Sequence, residues 1–189
     1  DGLKTTFNYL KNFGFKNETE VVMPGTNAKM NEFQALMGMQ ILKHLDGIIE
    51  RSHKIDAVYR EQLKDIPGIK FPPLLPDHIS YNYAYEPVEI IEDEFGMSRD
   101  ALYEKLKEYN IYCRRYFYPL ICDYACYQNL SIKDPLTVGR QVIKRILTLP
   151  IYDDLKASEA AKICDMISEI FKTNKNNKIQ NSFNAAHAQ

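Results

Sequence analysis

From Met30 to about Leu63 the chain has no proline, and apolar side chains recur at steps of three and four. Met30, Phe33, Met37, Ile41, Leu45, Ile48, Ile55, Tyr59 and Leu63 trace one stripe, widened by Leu36, Leu42 and Ile49. That period predicts an amphipathic helix. Asp65-Ile66-Pro67-Gly68 stops it. At about 1.5 Å per residue it would run roughly 50 Å, more than one small globule spans. A bend near Gly47 is therefore expected, with the first half in a larger domain and the second in a smaller one. A helix packed wholly inside one domain is the alternative.

Leu3 to Lys11 reads as a short amphipathic helix closed by Asn12-Phe13-Gly14-Phe15, and Pro24-Gly25 marks a turn. After Gly68 the pattern shortens to strands. Ile69 to Leu75 is extended and proline-rich, and Tyr81 to Ile91 alternates, with Pro87 confining it to an edge or strand end. Ser98 is a plausible N-cap for a helix from Arg99 to Tyr109 that buries Leu102 and Leu106. Ile111 to Tyr118 reads as a strand, Leu136 to Ile146 as a helix and Leu147 to Tyr152 as extended. Ser158 is expected to cap a last amphipathic helix, and the Asn- and Lys-rich tail is expected to be disordered. Strands separated by helices without sustained alternation predict an α+β layer. The expected organisation is 1–50, the end of a large domain with the first half of the long helix; 51–173, a small α/β domain; and 174–189, a disordered tail.

The 189 residues suit one ordinary domain, or one small domain with a piece of another. A formal net charge of −1 gives no reason to expect a nucleic-acid partner or a polybasic membrane surface. No apolar run reaches the roughly 20 residues that span a bilayer. The four cysteines lack zinc-finger spacing and read as reduced thiols of a cytoplasmic protein. There is no glycine-rich phosphate loop, no HExxH and no GxSxG, and nothing groups the histidines into a triad or a metal site.

Two segments stand out. Gly25-Thr26-Asn27-Ala28-Lys29-Met30-Asn31-Glu32 precedes the long helix, where free N–H groups and the positive dipole end suit a phosphate. Asn27 would add an amide donor and Lys29 a charge. The plainer reading is a capping loop with Lys29 solvated. Arg114-Arg115-Tyr116-Phe117-Tyr118-Pro119-Leu120 sets two guanidinium groups beside three rings, a combination that could hold a diphosphate and stack on a base or sugar. The plainer reading there is a half-buried strand whose arginines pair with surface carboxylates.

In this order, and separated by this helix, the two segments resemble the DegT/DnrJ/EryC1/StrS family of sugar aminotransferases. The likeness runs through Asn12-Phe13-Gly14-Phe15, Gly25-x-Asn27-x-Lys29-Met30-Asn31-Glu32-Phe33-Gln34-Ala35 and Gln40-Ile41-Leu42-x-x-Leu45-Asp46-x-Ile48-Ile49-Glu50-Arg51. Tyr59-Arg60, Leu63, Ile66-Pro67-Gly68 and Leu147-Thr148-Leu149-Pro150-Ile151-Tyr152 extend it. Tyr81-Asn82-Tyr83-Ala84-Tyr85 and the arginine-tyrosine segment are most similar to members that aminate dTDP-4-keto-6-deoxyglucose at C4. A histidine that many members carry after the proline motif is replaced here, where Ile121, Cys122 and Asp123 follow Leu120.

The resemblance implies a fold type I transferase that uses pyridoxal 5'-phosphate, an amino-acid donor (commonly glutamate) and a nucleotide-sugar acceptor, and that works as a homodimer. It implies that this chain is the C-terminal small domain with the end of the large one. The cofactor lysine and the aspartate facing the pyridine nitrogen would lie upstream of Asp1, leaving no catalytic residue here and an inactive chain on its own. Asn27 matches the residue that reaches the cofactor phosphate of the neighbouring subunit, with Lys29 beside it. Arg115, Tyr116 and Tyr118 are the candidates for the nucleotide-sugar. A non-catalytic dimerisation or binding module that kept the fold without the lysine is the competing expectation.

Overall fold

The computed structural model describes residues 2–17, 20–76, 78–124 and 133–186, with side chains as far as 176. Cys126 falls outside the described residues. The chain divides into two compact units, Asp1–Asp46 and Gly47–Gln189, against the boundary expected at 50.

The first unit holds α1 (Gly2–Leu10) and α2 (Glu32–Leu42). After α1 the chain turns through Gly14, at φ +83°, a left-handed conformation open to glycine. The segment before α2 returns over that turn. Phe13 N donates to Thr26 O (3.1 Å), Thr26 N to Leu10 O (2.8 Å) and Ala28 N to Lys11 O (3.0 Å). The approach needs two glycines: a Cβ on Gly14 would fall 1.6 Å from the Met23 carbonyl oxygen, and one on Gly25 would fall 2.4 Å from Gly14 N. Asn31 then caps α2 in a reciprocal box with Gln34, each side chain bonding the other's backbone N–H at 2.9 and 3.1 Å. α2 buries no residue of its own, although EFQALMGMQIL is apolar on every side.

The long helix is interrupted earlier than expected. α2 ends at Leu42, Lys43 and His44 turn back on the Gln40 and Ile41 carbonyls, and α3 starts at Leu45 (Leu45–Leu63). Gly47 sits inside the first turn of α3, so the glycine is not the break.

The second unit is built on an antiparallel sheet in the order β1-β2-β3: β1 (Ile69–Lys70), β2 (Glu86–Ile90) and β3 (Ile146–Leu149). β1 is two residues long because Pro72 and Pro73 follow and offer no N–H. β1 pairs only with Glu89 and Ile90, so Pro87, though in the middle strand, has no strand on that side. On the other side Pro87 faces Thr148, whose N–H and C=O both bond Arg114 instead (2.7 and 3.0 Å). That single bridge is all that forms of the strand expected over Ile111–Tyr118. The strand expected from Tyr81 likewise starts only at Glu86. Asn82 Oδ1 takes the Ala84 N–H at 3.0 Å, and Tyr83 lies at φ +49°, a local turn in place of a ladder.

Helices α4 (Glu92–Phe95), α5 (Arg99–Glu108), α6 (Thr137–Arg145) and α7 (Ala157–Ala186) complete the unit. Ser98 caps α5 as expected, accepting from Ala101 N at 3.2 Å. Ser158 does not cap α7, which begins at Ala157; the Glu159 carboxylate takes the Lys156 N–H at 2.9 Å there. The α7 backbone is helical to Ala186, past Thr173 and into the stretch where disorder is expected. That stretch contains no proline or glycine to stop a helix. One core joins Ile55, Tyr59 and Leu63 of α3, Val88 and Ile90 of β2, Leu102 and Leu106 of α5, Leu147 and Leu149 of β3, and Ile163, Cys164 and Ile167 of α7. Tyr59 is fully buried and donates its hydroxyl to Pro150 O at 2.8 Å. Burial drives its pKa upward, so it stays protonated.

Candidate functional site

In the first unit the candidates Asn27 and Lys29 are fixed by the turn after α1. Asn27 pairs with Asn12 in an antiparallel bridge. Lys29 Nζ donates to Asn12 Oδ1 at 2.8 Å and stands 4.8 Å from the centre of the Phe13 ring. The ammonium is thus positioned rather than loose in solvent. Asn27 is exposed, and its side chain has no hydrogen-bond partner among the described residues. The capping box changes one element of the phosphate argument. Two backbone N–H groups at the start of α2 are already used by Asn31 and Gln34, so an anion here would rely on the Asn27 amide and Lys29 more than on the helix end.

In the second unit Arg115 and Tyr118 meet and Tyr116 turns elsewhere. Arg115 Nη1 lies 3.3 Å from Asp100 Oδ1, and its guanidinium carbon is 4.8 Å from the Tyr103 ring centre and 5.2 Å from that of Tyr118. This is the surface carboxylate pairing of the plainer reading, with ring stacking added. Tyr116 packs on Tyr85 (4.8 Å) and Phe117 (4.2 Å). Arg99 completes the cluster. It is buried, reaches the Ile146 carbonyl at 2.7 Å and Asp100 Oδ1 at 2.9 Å, and lies 5.0 Å from the centre of the Tyr118 ring. Burial works against its charge, and Asp100 offsets part of that cost. The sequence reading missed Arg99, because the first residue of a capped helix is ordinarily solvated.

A third group was also missed. Asp56 and Glu86 are both buried, and a cleft of about 390 Å³ opens beside them, walled by Tyr81, Tyr83 and Tyr85. Arg60 Nε holds Asp56 Oδ1 at 2.7 Å. Burial first, then the Asp56 charge and a hydrogen bond with Asp56, push the Glu86 carboxyl far above the usual carboxylate range. The signal was available: Glu86 alternates in step with Val88 and Ile90, so a period of two places it inside.

The fold is shared with DesI, whose crystal structure was solved in the presence of its TDP-sugar product; the TM-score is 0.81 at 29% identity, over 100% of this chain and 46% of that one. The chain belongs to the DegT/DnrJ/EryC1/StrS aminotransferase family, whose sequence profile matches residues 1–168. Similar members include the dTDP-4-amino-4,6-dideoxy-D-glucose transaminase of Escherichia coli, 42% identical over 87% of this chain. The enzyme of that name from Shigella dysenteriae is 36% identical over 89%. The chain spans about half the length of these relatives, 44% and 45%. Among the described residues, no helix is long and apolar enough to cross a membrane.

Proposed function

We propose that this chain is the C-terminal part of a pyridoxal-phosphate aminotransferase that moves an amino group from an amino acid, glutamate in the first instance, to a keto-deoxysugar nucleotide such as dTDP-4-keto-6-deoxyglucose. The observation that carries the reading is the 42% identity, over most of the chain, to an enzyme named for the amine product of that reaction. Pyridoxal phosphate, when bound, supplies the carbonyl carbon that carries the amino group between donor and acceptor.

The residues present fit one end of that cofactor. Asn27 offers an uncommitted amide, and Lys29 a positive charge pinned beside it, which suits the phosphate of a cofactor held by a neighbouring subunit. That arrangement requires a homodimer. Arg115 keeps guanidinium donors beyond its bond to Asp100 and would take the nucleotide diphosphate, with Tyr118 stacked against it and Tyr116 at the edge. The free thiols of Cys113, Cys122 and Cys164 support a reducing, cytoplasmic setting.

The test joins this chain to the remaining half of the Escherichia coli relative and assays amine formation on a panel of keto-sugar nucleotides. Transfer to dTDP-4-keto-6-deoxyglucose, with cofactor affinity at least about tenfold weaker in Asn27→Ala, supports the reading. Transfer to a different keto sugar replaces the acceptor. A folded, dimeric chimera that aminates none of them favours the non-catalytic module.

A further inference from the structure

The cleft beside Asp56 and Glu86 has an unbalanced floor. Among the described residues it contains two buried carboxyl groups, at 5% and 1% exposure, and one guanidinium, Arg60. Arg60 bonds Asp56 through Nε at 2.7 Å and the Pro72 carbonyl through Nη1 at 3.0 Å, lies with its planar group over Phe71 at 5.1 Å, and makes no hydrogen bond to Glu86 Oε1. No donor among the described residues reaches Glu86 Oε1. One proton shared between the carboxyls can serve one pair of oxygens, so Glu86 Oε1, buried beneath the cleft, keeps acceptor capacity. With both groups ionised the floor is one positive charge short.

The walls are suited to a cation. Tyr81, Tyr83 and Tyr85 present electron-rich rings, and these are held in place. Tyr83 stacks on His53 at 4.9 Å, and Tyr81 meets Tyr83 edge-on at 4.9 Å. Tyr81 donates its hydroxyl to Tyr85 O at 3.4 Å. The volume of about 390 Å³ lies in the range of small-ligand sites. The two carboxyl groups give an anion no partner beyond Arg60, which Asp56 already holds. A neutral sugar brings donors but no charge.

We propose that this cleft binds an organic ammonium ion carried on a six-membered ring or a similarly small body, the ammonium pairing with Asp56 and Glu86 and the body lying between the tyrosines. The site stands whether or not the amino-transfer reading holds. Binding exchanges one cation for another: the protonated Glu86 carboxyl loses its proton to the buffer as the ammonium arrives with all three of its own. The groups facing Glu86 in this exchange are Asp56, Arg60 and Tyr59 from α3 and Tyr81 from the segment before β2.

The experiment is calorimetric titration of the 189-residue chain at neutral pH with cyclohexylamine, glucosamine and glucose, each in two buffers of different ionisation enthalpy. The expected result is binding of both amines with release of about one proton per ligand, and no binding of glucose. Binding of glucosamine alone would identify the body as an amino sugar; binding of both amines leaves the ammonium as the feature read. Glu86→Gln, which keeps shape and a bond to Asp56, is expected to bind about tenfold more weakly and release no proton. Tyr83→Leu is expected to weaken binding with proton release unchanged. Glucose binding as well as glucosamine, or amine binding unaltered in a folded Glu86→Gln chain, overturns the proposal, as does the absence of any amine binding.

Discussion

The two units use apolar residues in opposite ways. Every apolar side chain of the core cluster lies in Gly47–Gln189, and none comes from Asp1–Asp46. Yet α2, in the first unit, is the more apolar helix: Phe33 is 82% exposed and Leu42 67%. A helix apolar on all sides is written for burial. The first unit is held instead by backbone bonds across a glycine-dependent turn, by the Asn31–Gln34 box and by Lys29 on Asn12. The contrast teaches that the second unit encodes its own interior, whereas the first leaves the apolar faces of α2 open.

The largest expected effect breaks or confirms that contrast. Leu102→Ala, at a fully buried position, should cost about 2–5 kcal/mol in urea denaturation, whereas Phe33→Ala in the same chain should change stability by no more than about 0.5 kcal/mol. Equal costs would erase the distinction. Next, Gly25→Ala should disrupt the return segment by roughly 1–3 kcal/mol, read as faster amide exchange at Thr26 and Ala28 with the second unit unaffected. Ser98→Ala should cost about 1 kcal/mol, confined to the second unit's melting.

A further test is a pH slope. The folded Glu86 carboxyl holds its proton above the ordinary value of 4.5, while the unfolded one has released it. The associated stability is therefore present at low pH and lost as pH rises from that value toward the folded pKa. Melting temperature against pH should fall more steeply in the parent chain than in Glu86→Gln. A parent slope no steeper than the variant's would remove the buried-proton account.

The sequence made some of this legible and hid the rest for physical reasons. α1, the Ser98 cap, α6 and β3 follow local rules of period and capping, and the structure places them close to the expected bounds. The break at Lys43–His44 carries no local mark, since neither residue stops a helix, and Gly47 lies beyond it inside α3. Tyr81 to Tyr85 alternates like a strand, but Asn82 makes a turn and Pro87 leaves the ladder unsupported. At the candidate sites, Asn27, Lys29, Arg115, Tyr116 and Tyr118 came from recognisable segments. Arg99, Asp56 and Glu86 did not, because a charged residue is assumed to face water until its tertiary partners are known.

Hydrogen exchange on the 189-residue chain, alone and joined to the remaining half of a relative, tests the central contrast most directly. The account predicts strong amide protection in α3, α5 and β2 in both, and protection in α2 only when the other half is present. Protection of α2 in the chain alone, equal to that of α5, would contradict it.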